Sequence, residues 1–274
     1  MNNFLYRQMS RSELDKAYNV AAVVENFPAL LNELAERSRL AYSRHNWRRN
    51  LQYGKEAGNQ YDFLSCGIQN APTYVFIHGG YWSSGSKEEH AFIADGPIAN
   101  NMNVVLAEYS LAPGASMTQI VMDISMLIEH LTADRDKLGI ADSPVYLSGH
   151  SAGGHLAAMY RSHPAVTGVH MISAIVDLEP ISLCWLQNKL ELSSKEISDY
   201  SPLLHARKGA PTLISAGGAE LPELMRHSAA YAEVCANNGE HFSHILVDGA
   251  DHFGILNDLA DPDGKQLKAF RSLL

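Results

Sequence analysis

Residues 145–158 read Val-Tyr-Leu-Ser-Gly-His-Ser-Ala-Gly-Gly-His-Leu-Ala-Ala, and this stretch restricts the possible folds more than any other. An apolar, strand-like run enters a Gly-x-Ser-x-Gly pentapeptide and a helix-forming run leaves it. A serine in so sharp a strand-to-helix turn is held at strained backbone angles. Gly149 and Gly153 omit the Cβ atoms that would collide where helix and strand approach. The turn presents the Ser151 hydroxyl at the end of a sheet, within reach of a base. It also sets the Ala152 N–H at a helix N-terminus, where the dipole favours a developing oxyanion. The plain alternative is a glycine-rich turn with an idle serine. The strand before it and the helix after it weigh against that reading.

The pattern around this turn repeats the strand–helix alternation. Short apolar runs at 73–77, 104–107, 145–147, 169–176, 212–216 and 244–247 read as strands, and 51–65 as an early strand or hairpin. Helical spacing is read over 10–45, 117–131, 151–161 and 222–237, with Ser12 as the first N-cap and Pro28 as a break between two helices. Continuous apolar strands alternating with helices predict an α/β fold: a mostly parallel, doubly wound sheet with helices on both faces. Residues 178–205 interrupt the alternation with short helical pieces, which predicts a small cap insertion at the catalytic end. No repeat, linker or low-complexity tract divides the 274 residues, so one domain over 1–274 is expected.

Composition narrows the partners. Apolar residues form 46% of the chain and the formal net charge is −9, without a long basic run. That excludes nucleic acid and anionic membrane surfaces as expected partners. The cluster Arg44-His-Asn-Trp-Arg-Arg49 reads as a solvated helix end. Cys66, Cys184 and Cys235 are scattered and odd in number, so they read as core fillers rather than a disulfide framework. The N-terminus has no hydrophobic signal core, and no apolar run reaches about 18 residues, so the cytoplasm is the expected location. A homodimer stays open.

A serine nucleophile needs a base, an orienting acid and an oxyanion hole. The base is expected to be His252, in the loop after the last strand; His150 and His155 flank the serine but cannot easily turn back on its Oγ. The acid should follow the strand at 212–216. Glu220 lies in that loop, whereas Glu223 falls in a helical first turn and Asp251 reads as capping its own turn. The run Ile77-His-Gly-Gly-Tyr-Trp82 supplies backbone N–H groups; those of Gly80 and Tyr81 would join Ala152 in the oxyanion hole, with His78 bracing the loop. Tyr81, Trp82, Trp185 and Phe253 are candidate walls of an aromatic substrate pocket. There is no HExxH, phosphate loop or GxGxxG, and His150/His155 do not fit a metal pair, so no metal is expected.

Several motifs together resemble the kynurenine formamidase (arylformamidase) branch of the α/β-hydrolases, near the hormone-sensitive-lipase-like esterases. They are His78-Gly-Gly-Tyr-Trp82, Tyr109-Ser-Leu-Ala-Pro113, Gly149-His-Ser-Ala-Gly-Gly-His-Leu156, Asp177-Leu-Glu-Pro180, Tyr200-Ser-Pro202, Gly218-Ala-Glu220 and Asp251-His-Phe253. The resemblance runs from about residue 10 to the end and implies an α/β-hydrolase fold that needs no cofactor. It places the nucleophile at Ser151, the histidine at His252 and the acid at Glu220, where many members carry Asp. Ser83-Ser-Gly-Ser after the HGGYW run is a second departure. The activity it implies is cleavage of a small ester or amide through an acyl-enzyme, with N-formyl-kynurenine as the expected formamide. A general short-chain carboxylesterase is the second reading. A non-catalytic hydrolase-fold receptor is the third, and it would usually have lost one of the three candidate residues.

Overall fold

The computed structural model describes residues 5–274. Eight strands build the sheet: β1 (Arg48–Gln52), β2 (Gln60–Leu64), β3 (Thr73–Ile77), β4 (Asn103–Ala107), β5 (Val145–His150), β6 (Gly168–Ile172), β7 (Thr212–Gly217) and β8 (Phe242–Val247). Their spatial order is β1-β2-β4-β3-β5-β6-β7-β8. The β1–β2 and β2–β4 pairs are antiparallel; every pair from β4 to β8 is parallel.

The apolar runs exist because the sheet is covered twice. All of Thr73–Ile77 is buried. Side chains alternate along a strand, so Val75 and Ile77 enter one layer and Tyr74 and Phe76 the other. The first pair packs with Ile120, Ile124, Leu127 and Leu156. The second packs with Phe92, Leu259, Leu267 and Phe270. The helix Met117–Ala133 buries Met117, Ile120, Val121, Ile124, Leu127, Ile128 and Leu131, the spacing of one helical stripe. Its N-cap Ser116 accepts the Gln119 N–H at 3.2 Å. The edge strand β8 is only half-buried, as a strand with one neighbour should be.

Three local readings change and one holds. The first helix, Arg11–Ala17, is capped by Ser10, not Ser12, because Glu13 bonds back to the Ser10 N–H at 2.7 Å and completes a capping box. Pro28 stands at the break expected of it, after Arg11–Ala17 and in the first turn of the helix Phe27–Arg44, where a proline lacks only an N–H that would have no helical partner. The strand read at 169–176 stops at Ile172, because Ser173 turns into the left-handed region at φ 49°. The basic cluster is divided: Arg44 ends its helix and pairs with Asp95 at 2.8 Å, while Arg49 lies in β1 over the Tyr42 ring at 4.0 Å. Cys184 and Cys235 are buried, whereas Cys66 is only partly so.

Between β6 and β7 lie the short helices Glu179–Ser182, Gln187–Leu190, Ser194–Asp199 and Pro202–His205, where an insertion was expected. Among the described residues, no helix is long and apolar enough to cross a membrane.

Candidate active site

Parallel strands deliver the loops at their carboxyl ends to one edge of the sheet. Ser151 follows β5, the His78–Trp82 run follows β3, Glu220 follows β7 and His252 follows β8.

Ser151 sits at φ 56°, ψ −115°, a conformation that costs a side-chain-bearing residue about 1–3 kcal/mol. The turn is clamped by the Ser151 N–H to Ile172 O bond at 2.8 Å and the His155 N–H to Ser151 O bond at 3.1 Å. Glycine is obligatory on both sides. A Cβ on Gly149 would stand 2.2 Å from Gly153 O, and one on Gly153 would stand 2.0 Å from Ile77 O and 2.6 Å from His78 O. Gly153→Ala is therefore expected to push the end of β3, and the loop it carries, out of place. We expect a stability loss of about 2–3 kcal/mol and a fall in kcat/KM of about 100-fold. Thermal melts and steady-state kinetics check this; activity within threefold of wild type would contradict it.

His252 Nδ1–H donates to Glu220 Oε2 at 2.7 Å. The other Glu220 oxygen accepts the Gly217 N–H at 2.7 Å and the Ser173 hydroxyl. Burial pushes the Glu220 carboxyl up, but His252, Ser173 and Gly217 together outweigh it and hold the group below the usual carboxylate range. The acid is thus kept as an anion beside the imidazole. His150 Nε2–H donates to the backbone oxygen of His252 at 2.7 Å, which fixes the loop that carries His252. Burial holds the His150 imidazole neutral, with the neighbouring His252 and His90 acting in the same direction.

The competing carboxylates are engaged elsewhere. Glu223 bonds Arg226 at 2.7 Å and receives the Tyr18 hydroxyl at 3.3 Å. Asp251 Oδ1 accepts the N–H groups of Phe253 and Gly254 at 3.1 and 2.6 Å, capping its own turn.

The loop after β3 is tightly wound. Gly80 has φ 112°, and a Cβ there would lie 2.0 Å from Ser84 O. Tyr81 and Trp82 follow at φ 52° and 55°. His78 braces the loop, with Nδ1 2.7 Å from Gly79 O and Nε2 2.7 Å from Glu108 Oε1, its ring stacked on Tyr109. Burial pushes the Glu108 carboxyl up, but the bonds from His78, Lys87 N–H and Tyr109 N–H hold it below its usual range. Gly79 is the residue that sequence reasoning passed over: a Cβ placed on it would be 3.2 Å from the Ser151 Cβ, so this backbone lies against the serine.

These pieces open onto one cavity of about 360 Å³, lined by Gly79, Gly80, Tyr81, Ser151 and His252. Trp185 and Phe253 also line it, and Tyr81 and Trp185 meet edge to face at 5.7 Å. Trp82 does not line the wall expected of it. It is fully buried on the far side of its loop, where its indole N–H donates to His155 Nδ1 at 3.2 Å. Its left-handed backbone, next after that of Tyr81, turns the two aromatic side chains apart. Ala152 and Glu220 are buried beside the cavity rather than on its surface.

The N-terminal segment supplies much of the remaining wall through Asn19, Val20, Phe27, Leu31 and Leu34. The i, i+4, i+7 spacing of Phe27, Leu31 and Leu34 is a sequence signal that could have found this face. The Tyr81 hydroxyl donates to Tyr18 O at 2.6 Å, and the Trp185 N–H donates to Asp15 Oδ1 at 2.6 Å. The segment is thereby fastened to both the loop after β3 and the 179–205 helices.

A sheet of this order, with a serine turn after β5 and an acid–histidine pair from β7 and β8, defines an α/β-hydrolase of the serine hydrolase class, acting on small ester or amide bonds. Residues 65–171 match the BD-FAE family model. The chain is 26% identical to the kynurenine formamidase of Danio rerio over 93% of this chain and 94% of that protein. It is 27% identical to that of Salmo salar over 94% and 92%. A solved Silicibacter sp. structure, provisionally assigned as a thioesterase, superposes with TM-score 0.84 at 25% identity over 94% of this chain and 99% of that one. The chain has the α/β-hydrolase fold and is similar to kynurenine formamidases over nearly its whole length.

Proposed function

We propose that this chain hydrolyses aryl formamides, N-formyl-kynurenine foremost, through a formyl-enzyme on Ser151. The observation that carries the reading is the 2.7 Å Glu220–His252 pair facing a cavity shared by Ser151 and an aromatic wall. The similarity to the two fish formamidases supports the substrate class.

Ser151 Oγ attacks the formyl carbon while His252 Nε2 takes its proton. Glu220 holds His252 with Nδ1–H toward the carboxylate and stabilises the imidazolium that forms. The N–H groups of Gly80, Tyr81 and Ala152 receive the oxyanion. His252 then gives its proton to the aryl amine as the C–N bond breaks. Water, deprotonated by His252, attacks the formyl-enzyme; formate leaves and Ser151 recovers its proton. The N-terminal segment and the 179–205 helices together act as the cap.

The modest cavity also suits a short-chain carboxylester, the second reading. Parallel assays separate them: formate release from N-formyl-kynurenine and hydrolysis of p-nitrophenyl acetate, compared by kcat/KM. Enzyme fully active on the ester and silent on the formamide would remove the first reading. A further expectation concerns the wall. Offset aromatic contacts are worth about 0.5–1.5 kcal/mol, so Trp185→Ala should narrow the preference for aryl over aliphatic formamides by roughly two- to tenfold. An unchanged preference would remove Trp185 from the substrate wall.

The cytoplasm is the proposed location, on the strength of three free cysteines suited to a reducing compartment. A homodimer is the proposed assembly, with Val23, Leu31 and Leu40 as exposed apolar residues available to it; sedimentation velocity reads it out.

A further inference from the structure

A second histidine–carboxylate pair lies under the loop after β3. His78 Nδ1 faces Gly79 O and Nε2 faces Glu108 Oε1, each at 2.7 Å. Both partners are acceptors, and a neutral imidazole has one N–H to offer. The two bonds coexist when both nitrogens carry a proton, which makes the ring an imidazolium. His78 is fully buried, and a buried cation needs an anion beside it. Glu108 is that anion. Its Oε1 also accepts the Tyr109 N–H at 3.2 Å, and its Oε2 accepts the Lys87 N–H at 3.0 Å.

The other groups around the ring suit a cation. The Tyr109 ring stacks on it at 4.5 Å. His90, on the 3-10 helix Lys87–Ala94, stacks at 5.8 Å and stays neutral, because burial pushes its pKa down to about 4 with His78 acting in the same direction. Burial also keeps His150, against Gly79, neutral. Lys87 turns its Nζ away onto Asn50 and Asp62, at 2.8 and 3.1 Å. The bond to Gly79 O has a consequence one peptide bond further on. Gly79 C=O and Gly80 N–H are two ends of one conjugated group, so a charged donor on the oxygen makes the N–H a stronger donor. Among the described residues, the Gly80 N–H has no protein acceptor.

We propose that His78 is a buried imidazolium, charged by Glu108, that polarises the Gly79–Gly80 peptide and so strengthens the Gly80 N–H as a donor to the oxyanion. His78 and Glu108 are positioning residues: neither meets the substrate, and their charge acts through one peptide group. The relay rests on the serine mechanism proposed above and is indifferent to whether the acyl group is formyl or acetyl.

The first test needs no variant of the relay at work. Side-chain ¹H–¹⁵N spectra of the wild type at neutral pH should show two ring N–H protons on His78, assigned by their loss in His78→Gln; a single ring N–H would overturn the imidazolium. The second test is Glu108→Gln, assayed on p-nitrophenyl acetate. The amide is nearly isosteric and its oxygen can still accept from His78 Nε2, but the counter-charge is gone. It should lower kcat by about three- to tenfold with KM within about twofold, and Glu108→Asp should recover part of the loss. An aryl trifluoromethyl ketone, which forms an oxyanion on Ser151, should bind more weakly to Glu108→Gln by the factor that kcat/KM falls. The deficit should also widen from about pH 6 to about pH 9, as the uncompensated ring gives up its second proton. A deficit that does not change with pH, or an unchanged ketone affinity, would overturn the relay and leave His78 a brace alone. Turnover that survives Ser151→Ala would overturn the serine mechanism and the relay with it, whereas a relay that fails alone leaves Ser151→Ala inactive.

Discussion

Ser151→Ala is expected to lower kcat by about 10⁵- to 10⁶-fold on any substrate the enzyme accepts. The hydroxyl makes no capping bond to the helix it precedes and opens onto the cavity, so its removal deletes the attacking atom while leaving the turn's backbone clamps in place. Alanine occupies the same left-handed backbone position at a similar cost, so the melting temperature should stay within a few degrees. What remains is the acceleration that binding and the backbone N–H groups provide. The check is kcat on both an aryl formamide and an activated ester, with thermal melts alongside and host esterases excluded. Activity within tenfold of wild type would dismiss Ser151 as nucleophile. A fluorophosphonate should label the wild type at Ser151 and leave the alanine variant unlabelled.

Glu220→Gln is expected to cost about 10³- to 10⁴-fold in kcat, by analogy with other triads whose acid is made an amide. The amide is nearly isosteric. Its carbonyl is drawn toward the Gly217 and Ser173 donors, so its NH₂ faces His252 Nδ1, where a donor meets a donor. The imidazole must then carry its proton on the nitrogen that should accept from Ser151. Asp251→Asn should stay within about threefold, because an amide oxygen can still accept the Phe253 and Gly254 N–H groups. A larger loss from Asp251→Asn than from Glu220→Gln would reverse the assignment.

The same substitution has a pH signature. The Glu220 carboxyl is lowered in the folded protein from an ordinary value of 4.5, so its contribution to stability is fully present above that value and disappears as pH falls through the folded value. The stability difference between wild type and Glu220→Gln should be full at neutral pH and close in acid. A constant difference from pH 7 to pH 3 would mean that the lost charge is not its source.

Much of this was legible in the chain because a few constraints are local and severe. The glycines at 149 and 153 encode a backbone collision, and continuous apolar strands encode a sheet covered on both faces. Glu220 could be separated from Glu223 and Asp251 by position alone, since only Glu220 lies in the loop directly after β7. Three-dimensional effects were less readable. Trp82 looked like a pocket wall because it adjoins Tyr81; two successive left-handed residues send it into the core, and no periodicity encodes that. Ser173 looked like strand, yet its positive φ ends β6 and puts its hydroxyl on Glu220. The spacing of Phe27, Leu31 and Leu34 encodes an apolar helix face but not the surface it covers, which depends on where the first helices return to the sheet, a non-local outcome.

The bond from the Tyr81 hydroxyl to Tyr18 O has a mechanical meaning. Tyr81 belongs to the loop proposed to steady the oxyanion, and Tyr18 to the segment that roofs the cavity. The roof is therefore latched to the floor of the cavity, and whatever lifts one tugs the other. A bulky substrate that displaces the first helices would loosen its own charge-stabilising donors, so poor fit would be punished in turnover as well as in affinity. Tags, deletions or natural variation ahead of β1 should accordingly alter which molecules are processed well before they threaten the sheet. Selectivity in this enzyme can drift along one stretch of chain while the eight strands stand still.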